Sequence, residues 1–256
     1  MRPYMHVCNT PALIDHFDVS KAIVVVIDIL RATTSMCVAF GNGAKLMVPV
    51  EHIEEARAFR EKGYLIAGER SGVQVEGFDM GNSPYSFMED HIKDAKIAIT
   101  TTNGTRALKA AQQRNAREIV IGAFPNITIL GDWLIEQNQN VCLLCSGWRE
   151  NETMEDTIFA GAMAQKIRMH FKPYQDTTLM ARTLYKNANT RKRYFLRNSS
   201  HFNRLVHLNL QNDVKYSMRR DTHNVIPLLI GDELYDIAGK EDYKAFKKEI
   251  LGKQLT

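Results

Sequence analysis

Short runs of β-branched and aliphatic residues alternate with stretches whose apolar positions recur at helical spacing, the pattern of an α/β fold built on a largely parallel sheet. The runs predict strands at about 22–30, 45–50, 64–67, 96–100, 117–121 and 141–146. Between them the spacing predicts a helix from Thr33 or Thr34 to Gly41, another from Glu51 to a terminating Gly63, and a third from Gly104 to about Arg114. A fourth follows Pro125, suited to a first helical turn, and a fifth begins near Thr153 and runs through DTIFAGAMAQKI. Past Pro173 the alternation ends. Residues 177–212 hold no Asp or Glu but carry Arg182, Lys186, Arg191, Lys192, Arg193, Arg197 and Arg204. That segment reads as solvated helix packed on the core, with a basic rim that draws anions inward as the sharper alternative.

Composition narrows the classes. At 256 residues and 45% hydrophobic content the chain can bury a full core. It reads as one domain over 1–256, with two closely packed halves, about 1–120 and 121–256, as the other division. A formal charge of +4 suits small anionic substrates and lacks the concentrated basicity or aromatic platform of a nucleic-acid binder. The four cysteines, Cys8, Cys37, Cys142 and Cys145, are scattered, and neither a signal peptide nor a membrane-spanning apolar run is visible. The expectation is a reduced, cytoplasmic protein. Cys142 and Cys145 form a CxxC inside VCLLCSG, where strand alternation points them to opposite faces and argues against zinc or redox chemistry.

The chemistry concentrates where three apolar runs end. VVVIDILRATT places Asp28, Arg31, Thr33 and Thr34 after a buried-type strand, where an ionised carboxylate is costly unless paired or bound to metal. LIAGERSGVQVEGFDMGNSP carries Glu69, Arg70, Glu76, Asp79, Asn82 and Ser83 in a long Gly-rich stretch of the kind that is functional in compact domains. IAITTTNGTRAL carries Thr101, Thr102, Asn103, Gly104, Thr105 and Arg106. In an open α/β sheet ligands bind beyond the carboxyl ends of the strands. Arg31 and Arg106 each fall near a helix N-terminus, where a cation is locally unfavourable unless it shares an anion with the helix end. Glu69, Glu76 and Asp79 are hard oxygen donors of the kind Mg²⁺ prefers. The bland readings are Asp28 holding loop amides, Thr capping a helix, and Arg turned to solvent.

These blocks, with CSGWRENETMEDTIFAGA later in the chain, resemble the 2-phosphosulfolactate phosphatases of coenzyme M biosynthesis. A weaker match continues through SSHFNRLVHLNLQNDVKYS and DTHNVIP, and roughly 172–197 diverges. The resemblance implies a three-layer α/β/α fold particular to the family, with a parallel or mixed sheet, and a Mg²⁺-dependent phosphate monoesterase. The family-like positions are Asp28, Arg31, Thr33, Thr34, Glu69, Asp79, Asn82, Ser83, Asn103, Gly104, Thr105, Arg106, Cys145, Glu155 and Asp156.

The expected mechanism assigns Mg²⁺ to a subset of Asp28, Glu69 and Asp79, with Arg31, Arg106 and the Asn103–Thr105 amides on the phosphoryl oxygens. Glu69 or Asp156 would handle the proton, and Cys145 would line the site at most. An aspartyl phosphate in the manner of haloacid-dehalogenase-type phosphatases needs DxDxT, and Leu30 occupies its second position. A cysteine phosphatase needs a wider Cys–Arg spacing than Cys145 to Arg149 offers. The eight histidines show no metal-ligand spacing. A phosphatase for another 2-hydroxy-acid phosphate, or a binding protein for an anionic metabolite, remains as the alternative function. Small residues around Gly161 signal close packing, either internal or in a homodimer.

Overall fold

The computed structural model describes residues 2–188 and 192–254. Its strands are β1 (Tyr4–Cys8), β2 (Ala22–Ile27), β3 (Leu46–Pro49), β4 (Leu65–Arg70), β5 (Val73–Gln74), β6 (Lys96–Thr100), β7 (Glu118–Gly122), β8 (Asn140–Cys145), β9 (Lys172–Pro173), β10 (Pro227–Ile230) and β11 (Glu233–Asp236). The helices are α1 (Ala32–Gly41), α2 (Ile53–Arg60), α3 (Gly104–Gln113), α4 (Ile127–Gln137), α5 (Met154–Ile167), α6 (Asp176–Ala188), α7 (Lys192–Phe195), α8 (Ser200–His207), α9 (Gln211–Ser217) and α10 (Tyr243–Gln254). Every strand and helix expected from periodicity is present. The strand expected over 22–30 is β2 and stops at Ile27, so Asp28 stands just beyond it.

One mixed sheet runs in the order β5-β4-β6-β3-β11-β10-β7-β2-β8-β1-β9. The expected strands pair in parallel, β2 lying between β7 and β8 and β6 between β3 and β4. Two elements are antiparallel: the short β5, which folds back on β4 at the sheet edge, and the β10–β11 hairpin, whose strands reach β7 through Leu228–Val120 and β3 through Leu234–Met47. Strands from early in the chain lie on both sides of that hairpin. Its turn is Gly231–Asp232, with Gly231 at φ +62° as a tight two-residue connection requires.

Burial explains the layering. All six residues of β2 are buried, as a strand covered on both faces demands, and α3 and α5 both pack on it. The helix α1 is buried from Ala32 through Phe40 and touches β7 and β10, which suits its nearly all-apolar sequence. Ser35 in it donates to the Asn82 carbonyl at 2.9 Å, tying the helix to the loop after β5. His6 is a packing residue against Phe17 and Tyr174, its pKa pushed down to about 4 by burial. No helix among the described residues is long and apolar enough to cross a membrane.

The small residues near Gly161 serve the α5–α6 contact within the chain. A Cβ on Gly161 would fall 2.0 Å from the Ala181 carbonyl oxygen and 2.9 Å from Tyr185 Cβ. Gly161→Ala should therefore push two backbones apart and destabilise the fold by about 1–3 kcal/mol. Urea unfolding checks this: the midpoint falls at constant slope, whereas an unchanged midpoint would show that α6 shifts without cost.

Candidate active site

The sheet geometry brings the end of β2 to the end of β6, although four strands separate them in the sheet order. The contact is made by the helices that follow. A Cβ on Gly104 would lie 2.7 Å from Ala32 Cβ and 3.1 Å from Asp28 Oδ2, so only glycine lets the start of α3 close on Asp28 and the start of α1. The Asp28 backbone is pinned by Thr33, whose Oγ1 accepts from the Asp28 amide and donates to its carbonyl, both at 2.9 Å. Thr34 Oγ1 donates to Ile29 O at 3.0 Å, and Thr105 Oγ1 to Thr101 O at 2.7 Å. These threonines therefore shape the two helix starts and do not present hydroxyls to a ligand.

A narrow polar cleft opens there, lined by Asp28, Arg31, Glu69, Asn82, Thr102, Asn103, His201 and Arg204 among others. Asp28 is 5% exposed, and among the described residues its carboxylate receives only a long contact from the Ala32 amide at 3.4 Å. Burial pushes its pKa up to about 6, with His201 offsetting the rise and Glu69 adding to it. Glu69, also buried, accepts from the Gly72 amide at 2.6 Å and the Thr102 amide at 2.9 Å. Asn82 Oδ1, Thr102 Oγ1 and Arg204 Nε are sealed from solvent without a partner. Such atoms cost free energy, and their gathering at one cleft marks a place built for a polar ligand.

Several sequence-predicted residues serve this cleft indirectly. Arg31 lines it, but its guanidinium is committed to the buried Asp213 carboxylate and to Gly72 O. Ser83 Oγ donates to the other Asp213 oxygen at 2.9 Å, so α9 is locked to both loops. Asp156, in the first turn of α5, accepts from Ile29 N, Thr153 Oγ1, Ser146 Oγ and Gly147 N. It is a clamp between the loops after β2 and β8, and burial beside Glu155 and Asp28 pushes its pKa well up. Cys145 is fully buried opposite Ile27, and burial raises its thiol and that of Cys142 far above the usual range, which leaves no thiolate nucleophile. All four cysteines are free.

Two expected residues point elsewhere. Asp79 is not brought to the cleft: the loop after β5 doubles back, and its carboxylate accepts from Arg60 and from the Ile66 amide, both at 2.8 Å, early in β4. Among the described residues no cluster of three or more His, Cys, Asp or Glu forms a metal cage, so the set Asp28, Glu69 and Asp79 is not assembled. Arg106 faces a neighbouring, wider cleft with Lys109 and Arg114 and pairs with Glu150 at 3.0 Å while half-exposed. The two clefts share Asn103. Glu76 is exposed, and Arg70 holds the Glu69 and Glu51 carbonyls and Thr100.

Sequence reasoning missed α8. Its N-cap Ser199 accepts from the Phe202 amide, and the i, i+3 spacing puts His201 and Arg204 on one face toward Asp28. His201 Nδ1 pairs with the buried Glu155. Arg204 and Arg149 both lie over the Trp148 ring, at 5.1 and 4.7 Å from its centroid. Among the described residues Arg204 is thus the cation of the basic segment that lines the cleft. Arg182 instead bonds Gln165, and Arg191 lies outside the described residues.

Helix starts, cations and buried carboxylates converging at parallel strand ends define an α/β protein with an anion-handling site. The model of the family described as 2-phosphosulpholactate phosphatase matches residues 8–232, and the chain belongs to that family. Its relatives include the probable 2-phosphosulfolactate phosphatase of Caldicellulosiruptor saccharolyticus, 36% identical over 77% of this chain and 84% of that one. The protein of the same name from Caldanaerobacter subterraneus subsp. tengcongensis is 32% identical over 88% and 95% of the respective chains. That of Clostridium acetobutylicum is 34% identical over 82% and 90%.

The cost of Asp28 is measurable. A carboxyl whose folded pKa of about 6 exceeds its usual 3.8 leaves the fold unpenalised below the lower value and weakens it as pH rises through the upper one. Asp28→Asn should therefore raise the melting temperature of chelator-treated protein at pH 7.5 by several degrees, for about 2–3 kcal/mol. The gain should vanish near pH 4. A lower melting temperature at pH 7.5 would refute the assignment.

Proposed function

We propose that the protein hydrolyses the phosphate monoester of 2-phosphosulfolactate, giving sulfolactate and phosphate, with Mg²⁺ as cofactor. The observation that carries this reading is the meeting, in one narrow cleft, of the buried carboxylates Asp28 and Glu69, the starts of α1 and α3, and the guanidinium of Arg204.

The donors fit a hard divalent cation. Asp28 and Glu69 repel one another, Asn82 Oδ1 beside them lacks a partner, and Mg²⁺ takes one or two carboxylates and completes its shell with water and substrate phosphate. Asp28 and Glu69 would hold it, where it would neutralise phosphate charge and activate water. The chain's own groups do the rest. The backbone at the start of α3 would meet the phosphoryl oxygens, Gly104 allowing the close approach, while the dipole of α1 adds partial positive charge behind Asp28. Arg204 supplies the cation, while Arg31, paired with Asp213 and bonded to Gly72 O, braces the wall of the cleft. The Arg149–Trp148–Arg204 stack places further positive charge nearby, which suits an ester that also bears sulfonate and carboxylate groups. Buried free cysteines favour a reducing, cytoplasmic setting.

Phosphate release from phosphosulfolactate, phospholactate and an aryl phosphate, each with Mg²⁺ and with chelator, tests the reading. Metal-dependent release with the highest kcat/KM on phosphosulfolactate is expected, and binding without release from any ester would exclude it. Arg204→Ala should lower kcat/KM by about 10–100-fold, the worth of a charge-assisted hydrogen bond. Unaltered kinetics would remove Arg204 from the anion site.

A further inference from the structure

The phosphatase reading leaves one chemical need unmet. An alkyl phosphate loses an alkoxide, a poor leaving group that must be protonated as the P–O bond breaks. The carboxylates proposed from sequence are otherwise engaged: both Asp156 oxygens accept hydrogen bonds from the loops it clamps, and both Glu69 oxygens accept backbone amides. His201 is differently placed. It is 6% exposed and lines the cleft, its Nδ1 bonded to Glu155. Nε2 makes no hydrogen bond among the described residues, and none joins the ring to Asp28 or Glu69.

Glu155 is 1% exposed, its Oε2 has no partner, and it stands beside the buried Asp156. A core gains nothing from two adjacent buried carboxylates unless one has work that needs its charge. Holding an imidazole in one tautomer and compensating its positive charge is such work, and it is the role a buried acid plays toward histidine in proton-transfer sites.

We propose that His201 is the catalytic acid of this site, donating the Nε2 proton to the leaving alkoxide oxygen, and that Glu155 is its positioning residue; the proposal rests on the phosphatase reading. As the oxygen of the attacking water bonds to phosphorus, the P–O bond to the leaving group breaks. Its electron pair passes to the leaving oxygen, which takes the Nε2 proton and departs as the alcohol. The proton shed by the attacking water goes to solvent, and solvent reprotonates Nε2.

The test varies the leaving group at fixed pH in the full-length, Mg²⁺-supplied protein. His201→Asn keeps a donor toward Glu155 and removes Nε2. Turnover of phosphosulfolactate or phospholactate should fall about 10²–10⁴-fold, while turnover of p-nitrophenyl phosphate, whose phenolate leaves unprotonated, changes less than about fivefold. Glu155→Gln should produce a smaller loss with the same selectivity for alkyl esters. Circular dichroism and melting temperature establish folding, and His201→Gln replaces the Asn variant if that does not fold. Equal losses on alkyl and aryl esters, or an unchanged alkyl rate, would overturn the acid role while the wild type still releases phosphate. A wild type inert toward every ester would overturn the phosphatase reading itself.

Discussion

Negative charge buried at the ends of parallel strands is the constraint around which this molecule is arranged. Asp28, Glu69, Glu155, Asp156 and Asp213 are all nearly inaccessible to solvent. Each would be costly alone, and the fold compensates them unequally. Asp213 has Arg31 and Ser83, Asp156 has four donors, Glu69 has two amides and Glu155 has one imidazole. Asp28 has one long contact to the start of α1. Incomplete compensation falls where the unpartnered Asn82, Thr102 and Arg204 atoms also gather, and strained electrostatics of this kind mark working sites.

The framework was legible because its determinants are local. A short, β-branched apolar run such as AIVVVI suits a strand covered on both faces, and a carboxylate directly after one has few explanations. Gly104 and the paired threonines announced two helix starts, although the hydroxyls turned out to brace backbone rather than face a ligand. Asp79 misled because the acidic residues of 69–79 look like one cluster in sequence. Positive φ at Ser71 and Gly72 reverses the chain, and Asp79 ends beside Ile66 instead of Glu69. Arg106 misled in another way: three residues into its helix, its side chain already points past the first turn toward Glu150.

The rest was illegible for lack of a local signal. Arg204 and Asp213 meet Asp28 and Arg31 across most of the chain, His201 meets Glu155 from 46 residues away, and the basic segment containing His201 and Arg204 has no acidic residue to fix its register. Ser199 as a cap followed by His201 and Arg204 at helical spacing was the available clue. The β10–β11 hairpin went unread as well: its strands PLLI and ELYD are only four residues each, and the Gly-Asp turn between them was the available clue.

That hairpin also orders events during synthesis. Its strands are synthesised after β1–β9, yet they occupy the middle of the sheet, between β3 and β7. Until they arrive, a nascent chain has two separate strand groups with unpaired inner edges, a state in which other chains can pair with it. The same nascent chain holds Arg31 without Asp213 and Glu155 without His201. Completion of the sheet and charge balance at the strand ends are therefore both deferred until the residues beyond 200 have been made, and a product truncated before them is as exposed to aggregation as it is incomplete.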